Sequence, residues 1–324
     1  MKRFGIITSG GDCPGLNAVI YSIFQSLKVY DAELIGIYQH ALGSQTSFTT
    51  QKLEEIDPFL VSRSGTFLGS MVDVDIQPFE PMRLANFEKH LFAALSPLQL
   101  KGLFLLGGDS SIGYVSKMLK DHLPIIAIPK TIDNDVSYTD TALGFKSAIE
   151  TVVDLLENLK QTGASHKRIM VAEVMGRDTG FIALEAGIAA FADAIVIPEK
   201  PLNHQDFKDF LLKRYAESQR GVLVVVSEGA PSIKEFMQQD IPLPSRYTRL
   251  GHLQRGGRVS AMDRFMAAHL GAYAVDLAFQ NLWNKVVVFE NQQPIHKDLS
   301  EISSTKRFVT NLKIDICRKL GIFI

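Results

Sequence analysis

The residue types best suited to chemistry are concentrated in Pro129-Lys130-Thr131-Ile132-Asp133-Asn134-Asp135, which holds one ammonium, one hydroxyl and two carboxylates. The run Leu123-Pro124-Ile125-Ile126-Ala127-Ile128 before it reads as a buried strand, so these groups stand at a strand's carboxyl end. In open α/β sheets that edge is where ligands bind. A polar loop capping the next helix would use the same residues, and the stretch alone leaves both readings open.

Two glycine turns carry related chemistry. Thr8-Ser9-Gly10-Gly11-Asp12-Cys13-Pro14-Gly15 follows the apolar run from Phe4 to Ile7 and precedes helical spacing at Leu16, Ile20, Ile23, Phe24 and Leu27. Strand, glycine turn and helix make an anion site, because unpaired N–H groups and the helix dipole point at the turn. The turn is neither G-x-G-x-x-G nor Walker A, and a purely structural turn accounts for it equally well. Gly107-Gly108-Asp109-Ser110-Ser111 repeats the junction with a carboxylate added. An oxygen ligand beside a phosphate suits Mg²⁺, which keeps waters and takes one or two carboxylates. The alternative is Asp109 as a helix cap. Finally, Arg246, Arg249, His252, Arg255 and Arg258 crowd one segment that contains no carboxylate. Guanidinium forks match phosphate bidentately, so this segment reads as a phosphomonoester grip in preference to a solvated loop.

The elements that must position these groups alternate strand and helix. Further strands are expected at 34–38, 103–106, 168–174, 194–197, 221–226 and 286–289. Helices are expected after Ser111 toward Lys120 and at 142–160, 205–215, 261–279 and 306–320, with Gly271 tolerated inside one of them. The segment 39–97 shows no clean period. Such alternation predicts an α/β fold with parallel sheets covered on both faces. Polar, glycine-containing tails after nearly every strand predict a common cleft.

The bulk composition excludes several function classes. At 324 residues two domains are expected, and 46% hydrophobic with 21% charged residues is a globular composition. A net charge of −1 argues against nucleic acid or an anionic membrane as partner. Cys13 and Cys317 alone suggest no disulfide framework, and no run reaches the length of a signal core or membrane helix. The expected location is the cytoplasm.

Taken together, Gly10-Gly11-Asp12, Gly107-Gly108-Asp109, Pro129 to Asp135, Met175-Gly176-Arg177 and Gly251-His252-Leu253-Gln254-Arg255-Gly256-Gly257 resemble the motifs of the 6-phosphofructokinases, in that family's order. The resemblance implies two doubly wound Rossmann-like domains with the active site in the cleft between them. A donor domain would take 1–140 and about 255–305, and a sugar-phosphate domain 141–254 and about 306–324. It implies phosphoryl transfer to the 1-hydroxyl of fructose 6-phosphate, with Asp133 as base, Asp135 assisting, Thr131 near the transferred group and Arg177 stabilising its charge. Asp109 would hold Mg²⁺. Gly11, Gly108, Ser110 and Lys130 would bind the donor. Met175, Gly176 and Glu228 would contact the sugar. His252 and Arg255 would hold the 6-phosphate, joined by Arg168 and Arg246 from a neighbouring subunit of a homodimer or homotetramer.

Departures from the family pattern bear on the donor. Lys130 stands where ATP-using bacterial members carry glycine and matches the pyrophosphate-using type, while Ser110 matches neither type. Ala41, Val72 and Tyr114 replace residues that serve a nucleotide, Tyr114 filling a glycine position. Tyr21, Gln25, Glu217 and Gln219 replace cations of the family's effector site, of which Arg63 and Lys160 remain. These departures favour pyrophosphate as donor and no nucleotide-diphosphate effector response. ATP is the alternative donor, a non-catalytic sugar-phosphate binder the alternative class, and an NAD or lipid kinase a more distant one. Retention of Asp109, Asp133 and Arg177 favours an enzyme, since a pure binder needs none of the three.

Overall fold

A computed structural model describes residues 1–42, 45–70, 81–137, 139–218, 220–301 and 306–324. The first half of the chain gives β1 (Lys2–Thr8), α1 (Leu16–Val29), β2 (Ala32–Leu42), β3 (Gln45–Lys52), α2 (Pro81–Leu95), β4 (Gly102–Gly107), α3 (Asp109–Leu119), β5 (Ile125–Thr131) and β6 (Leu143–Gly144). It continues with α4 (Phe145–His166), β7 (Ile169–Val174), α5 (Phe181–Ala189), β8 (Ala194–Val196), α6 (His204–Glu217), β9 (Val222–Ser227) and α7 (Lys234–Gln239). Last come β10 (Ser245–Arg249), α8 (Ala261–Phe279), β11 (Lys285–Glu290), β12 (Gln293–Asp298) and α9 (Asn311–Lys319).

The chain divides into two compact α/β units. One comprises Met1–Thr131, Val136–Lys146 and Arg258–Thr305, the other Ile132–Asp135, Ser147–Gly257 and Lys306–Ile324. The divisions fall at 146/147 and 257/258, where about 140 and 255 were expected, and the excursion of Ile132–Asp135 has no counterpart in the sequence-based division.

The first unit is built on a sheet of order β12-β11-β5-β4-β1-β2-β3, with β6 on β5. Its centre is parallel, and its two edges, β3 on β2 and β12 on β11, are antiparallel. Every residue of β4 is buried, as are the first six of β5, which is why both read as unbroken apolar runs. Leu103, Leu105, Ile125 and Ala127 pack with Phe87 and Leu91 of α2 and with Ile112 and Val115 of α3. β3 and α2 lie in the segment without a clean period. The strand Gln45–Lys52 is an edge, and its mostly polar residues leave no apolar run to read. β5 extends through Thr131, so Lys130 and Thr131 are strand residues paired with Leu143 and Gly144, not loop residues.

The second unit has a fully parallel sheet of order β10-β7-β9-β8. Ile169, Val171, Val222, Val224 and Val226 bury one face against Phe207, Leu211, Ile233 and Met237. β10 carries Arg246 and Arg249 as an edge strand, a role that charged residues fit and that hid it in the sequence. α9 starts at Asn311, so Lys306 and Arg307 belong to an extended lead-in and not to the closing helix. Among the described residues no helix is long and apolar enough to cross a membrane.

Gly271 in α8 is more than tolerated. A Cβ there would lie 2.6 Å from the Ser22 Cβ and 3.0 Å from the Val19 carbonyl oxygen, both on α1. Gly271→Ala gains about 1 kcal/mol of helix propensity. The overlap costs about 1–3 kcal/mol, because packed backbones separate only at the expense of other contacts. The variant is therefore expected to be destabilised, with a melting temperature lowered by a few degrees. A raised melting temperature in a thermal scan would show that α1 and α8 are not in limiting contact.

Candidate active site

β1, β4 and β5 are parallel neighbours, and the register pairs Thr8 with Leu106 and Gly107 with Pro129. Their carboxyl ends therefore bring the Gly10-Gly11 turn, Gly108-Asp109-Ser110 and Lys130-Thr131 to one edge of the first unit. Gly10 and Gly15 have φ of 77° and 96°, a backbone that side chains resist. Lys130 is 3% exposed and its ammonium donates to the Gly11 carbonyl, which places a cation inside the turn. A Cβ on Gly108 would meet nothing within 4 Å, so that glycine leaves open room where α3 begins. Gly108, not Asp109, is the N-cap of α3. Asp109 still accepts the Ser110 N–H at 2.8 Å and the Ser110 hydroxyl at 3.4 Å through Oδ1. Tyr114 turns to α2, where its hydroxyl donates to Glu88 Oε1 at 3.2 Å and its ring lies 6.3 Å from that of Phe87. Its bulk is engaged with the core, which weakens the argument that it fills nucleotide space. Val72 lies outside the described residues, as do Gln219 and the side chain of Ala41.

The chain leaves β5 at Thr131, and the next four residues attach to the second unit. Thr179 Oγ1 donates to the Asp133 carbonyl at 3.3 Å, and the Arg307 N–H to the Asp135 carbonyl at 2.9 Å. Asn134, with φ of 58°, makes the left-handed step between them. Asp133 and Asp135 are 6% and 7% exposed. Burial first, and then the charge of Asp135, push the Asp133 carboxyl up to about 6, with Glu228 adding to the rise against Arg177 and Arg255. The Arg177 Nε stands 3.8 Å from Asp133 Oδ2.

Arg177 is held by an unusual backbone. Its φ is 50°, that of Gly176 is 135°, and its N–H donates to Glu228 Oε1 at 3.0 Å. A Cβ on Gly229 would stand 1.9 Å from the Arg177 carbonyl oxygen, so only glycine lets the Ser227-Glu228-Gly229 turn lie against this loop. Met175 N–H donates to the Gln254 side-chain oxygen at 3.1 Å, and Gln254 in turn donates to the Gly251 carbonyl at 2.9 Å. The fully buried Gln254 thus ties the Met175-Gly176-Arg177 loop to the turn that carries His252 and Arg255.

The arginine cluster is split. His252 and Arg255 follow the carboxyl end of β10, at the same end of the sheet as Met175, Arg177 and Glu228. Arg168 precedes β7, and Arg246 pairs with Met170 near its start. At about 3.3 Å per residue, six strand residues separate Arg168 from that end by roughly 20 Å, and four separate Arg246 from it by roughly 13 Å. Arg258 belongs to the first unit, bridged to Arg63. One grip of five cations is therefore not what the fold builds. Lys306, Gln254 and Thr179 were not identified as site residues from the sequence. Gln254 lies within a recognised motif, whereas Lys306 lies in the C-terminal stretch, where no motif marks it.

Residues 3–278 match the family described as Phosphofructokinase. The chain is 34% identical to an ATP-dependent 6-phosphofructokinase of Bacillus subtilis over 99% of its length and 100% of the relative's. It is 36% identical to one from a Sulfurihydrogenibium species, covering 97% of each. Among solved structures, a Pichia pastoris phosphofructokinase in the T-state is 28% identical with a TM-score of 0.76. That match covers 93% of this chain but only 35% of the yeast one. A pyrophosphate-dependent phosphofructokinase of Marinobacter aquaeolei has a TM-score of 0.80 over 100% of this chain and 88% of its own, at 22% identity, a likeness of fold. A match over most of the chain, joined to full-length relatives above 30% identity, places it: the chain belongs to the phosphofructokinase family.

Proposed function

We propose that this protein transfers a phosphoryl group from ATP to the 1-hydroxyl of fructose 6-phosphate, giving fructose 1,6-bisphosphate, with Asp133 as general base. The observation that carries the reading is a buried carboxyl, raised to about 6, set 3.8 Å from the Arg177 guanidinium. A base with a pKa near the working pH is ionised there and still accepts a proton well. Asp133 takes the hydroxyl proton as the oxygen attacks. Arg177 offsets charge developing on the transferred group, the kind of electrostatic support on which phosphoryl transfer chiefly depends. Met175, Gly176 and Glu228 hold the sugar, and His252 and Arg255 its 6-phosphate. Thr131 lies beside the transferred group, and Asp135 assists the base.

On the donor side, Gly11, Gly108, Ser110 and Lys130 line one sheet edge, as a polyphosphate requires. Asp109 fits Mg²⁺. Its Oδ1 is used on Ser110, leaving Oδ2 for an ion that asks for only one or two carboxylates, and no group of three metal-ligating side chains occurs among the described residues. Such an ion would neutralise the donor's phosphate charge. ATP is supported by the full-length relatives, which carry that donor in their names. Lys130 favours a second reading, pyrophosphate, because an ammonium in the Gly10-Gly11 turn suits a compact donor with a terminal phosphate there. Of the two cations remaining from the effector cluster, Lys160 donates to Glu157 and to the Ala190 carbonyl, which supports the absence of a nucleotide-diphosphate effector response. Arg168 and Arg246, at the far end of their sheet, fit a phosphate grip on another copy of the chain, and hence a homodimer or homotetramer.

Three outcomes follow. With fructose 6-phosphate and Mg²⁺, saturating ATP supports turnover and saturating pyrophosphate alone does not. The reverse result would establish the second reading, and Lys130→Gly should then abolish pyrophosphate use. Asp133→Asn lowers kcat by about 10²–10⁴, and wild-type kcat/KM falls about tenfold per pH unit below about 6. Linkage gives the same variant an opposite effect on stability. A carboxyl whose folded pKa is raised contributes stability at low pH that is lost as pH rises through about 6. Asp133→Asn should therefore be more stable than wild type at pH 8, by on the order of 3 kcal/mol. The advantage should vanish below pH 4, as followed by denaturant melts at both pH values.

A further inference from the structure

The C-terminal segment returns to the second unit and closes on the base-bearing loop. The Lys306 Nζ stands 3.8 Å from Asp135 Oδ2 and 2.5 Å from Asp178 Oδ2. The neighbouring Arg307 N–H donates to the Asp135 carbonyl at 2.9 Å, and its guanidinium covers the Phe181 ring at 4.9 Å. One short stretch thus fixes both the backbone and the charge of Asp135. Asp133 faces Asp135, Glu228, Arg177 and Arg255, while Asp135 faces Asp133 and Lys306. Lys306 side-chain exposure is 29%, so its charge is screened less than a surface lysine's.

We propose that Lys306 is a positioning residue for phosphoryl transfer: acting through Asp135, it keeps that carboxylate ionised and in place, so that Asp133 alone serves as the base. This rests on the function proposed above. Two buried carboxylates two residues apart repel, and such a pair tends to share a proton unless a cation offsets one of them. Arg177 and Arg255 act on Asp133, and Lys306 supplies the offset at Asp135. Asp178 holds the ammonium on its other side and is itself kept below the usual carboxylate range by it. The two contacts aim Lys306 from the segment that follows residue 305. The fold therefore gives its C-terminal return a part in the chemistry that no motif in the sequence announces.

The test compares wild type, Lys306→Met and Lys306→Arg by activity and by ¹³C NMR of aspartate-labelled protein, with Asp133→Asn to assign the resonance. In Lys306→Met the acid limb of kcat/KM should move up by about one pH unit, so that kcat/KM falls about tenfold at pH 5 but only about twofold at pH 7, with KM for the sugar phosphate within about twofold. Lys306→Arg should return kcat/KM at pH 5 to within about threefold, since it keeps the charge. The Asp133 titration should rise in the methionine variant and return in the arginine one. An unmoved Asp133 titration in a folded Lys306→Met protein overturns the proposal. So does a lowered melting temperature with the acid limb in place, which marks a merely structural clamp. Absence of phosphoryl transfer in wild type would sink the proposed function instead, and the NMR titration would still decide the role of Lys306.

Discussion

Two carboxylates, 6% and 7% exposed and two residues apart, are the constraint around which the second unit is arranged. Buried like charges are expensive, and each must be offset or surrender its ionisation. The structure offsets them asymmetrically. Arg177 and Arg255 act on Asp133 but do not cancel its burial, and its carboxyl remains raised to about 6. Asp135 has Lys306 within ion-pair distance and a backbone hydrogen bond from Arg307. One carboxyl is thereby left with a raised pKa while its neighbour is held in an ion pair.

That asymmetry needs unusual backbone. Arg177 and Asn134 both occupy positive φ, where side chains are disfavoured by a few kcal/mol at most, and both flank the Asp133 carboxylate in sequence or in space. The strain is tolerated because the surroundings over-determine it. Gly229 gives way to the Arg177 carbonyl, the Arg177 N–H is taken by Glu228, and Thr179 holds the Asp133 carbonyl. Gln254 completes the arrangement from inside, joining two loops by one fully buried amide.

Legibility in the sequence followed burial. β4 and β5 were readable because both faces are covered, so every position is apolar; α8 was readable because its ends and its length are regular. β3 and β10 were not, since edge strands carry polar or charged residues and resemble loops. The same physics misled the reading of the arginine-rich segment. Five cations in thirteen positions look like one site, yet a strand places Arg246 and Arg249 along its length, and a unit boundary separates Arg258. Short motifs exposed the residues proposed to act on the substrates, because glycines and charges at strand ends are conspicuous. Lys306 meets Asp135 from far away in the chain, and no local pattern records a partner that distant.

The order in which the chain visits its units has a chemical consequence. Ile132–Asp135 is an excursion from the end of β5, and the chain returns to the first unit at Val136 before crossing again near residue 147. Lys130 is therefore covalently three residues from Asp133, at most about 11 Å between their Cα atoms. Lys130, in the first unit, and Asp133, in the second, are thus joined by two intervening residues of backbone. The same connectivity makes the base loop depend on three separate stretches: the β5 terminus that delivers it, the 175–180 loop that pairs it and the 306–307 segment that closes it. The 132–135, 175–180 and 306–307 stretches all fall in the second unit, so the contacts around Asp133 and Asp135 are made within that unit although three separate parts of the chain supply them.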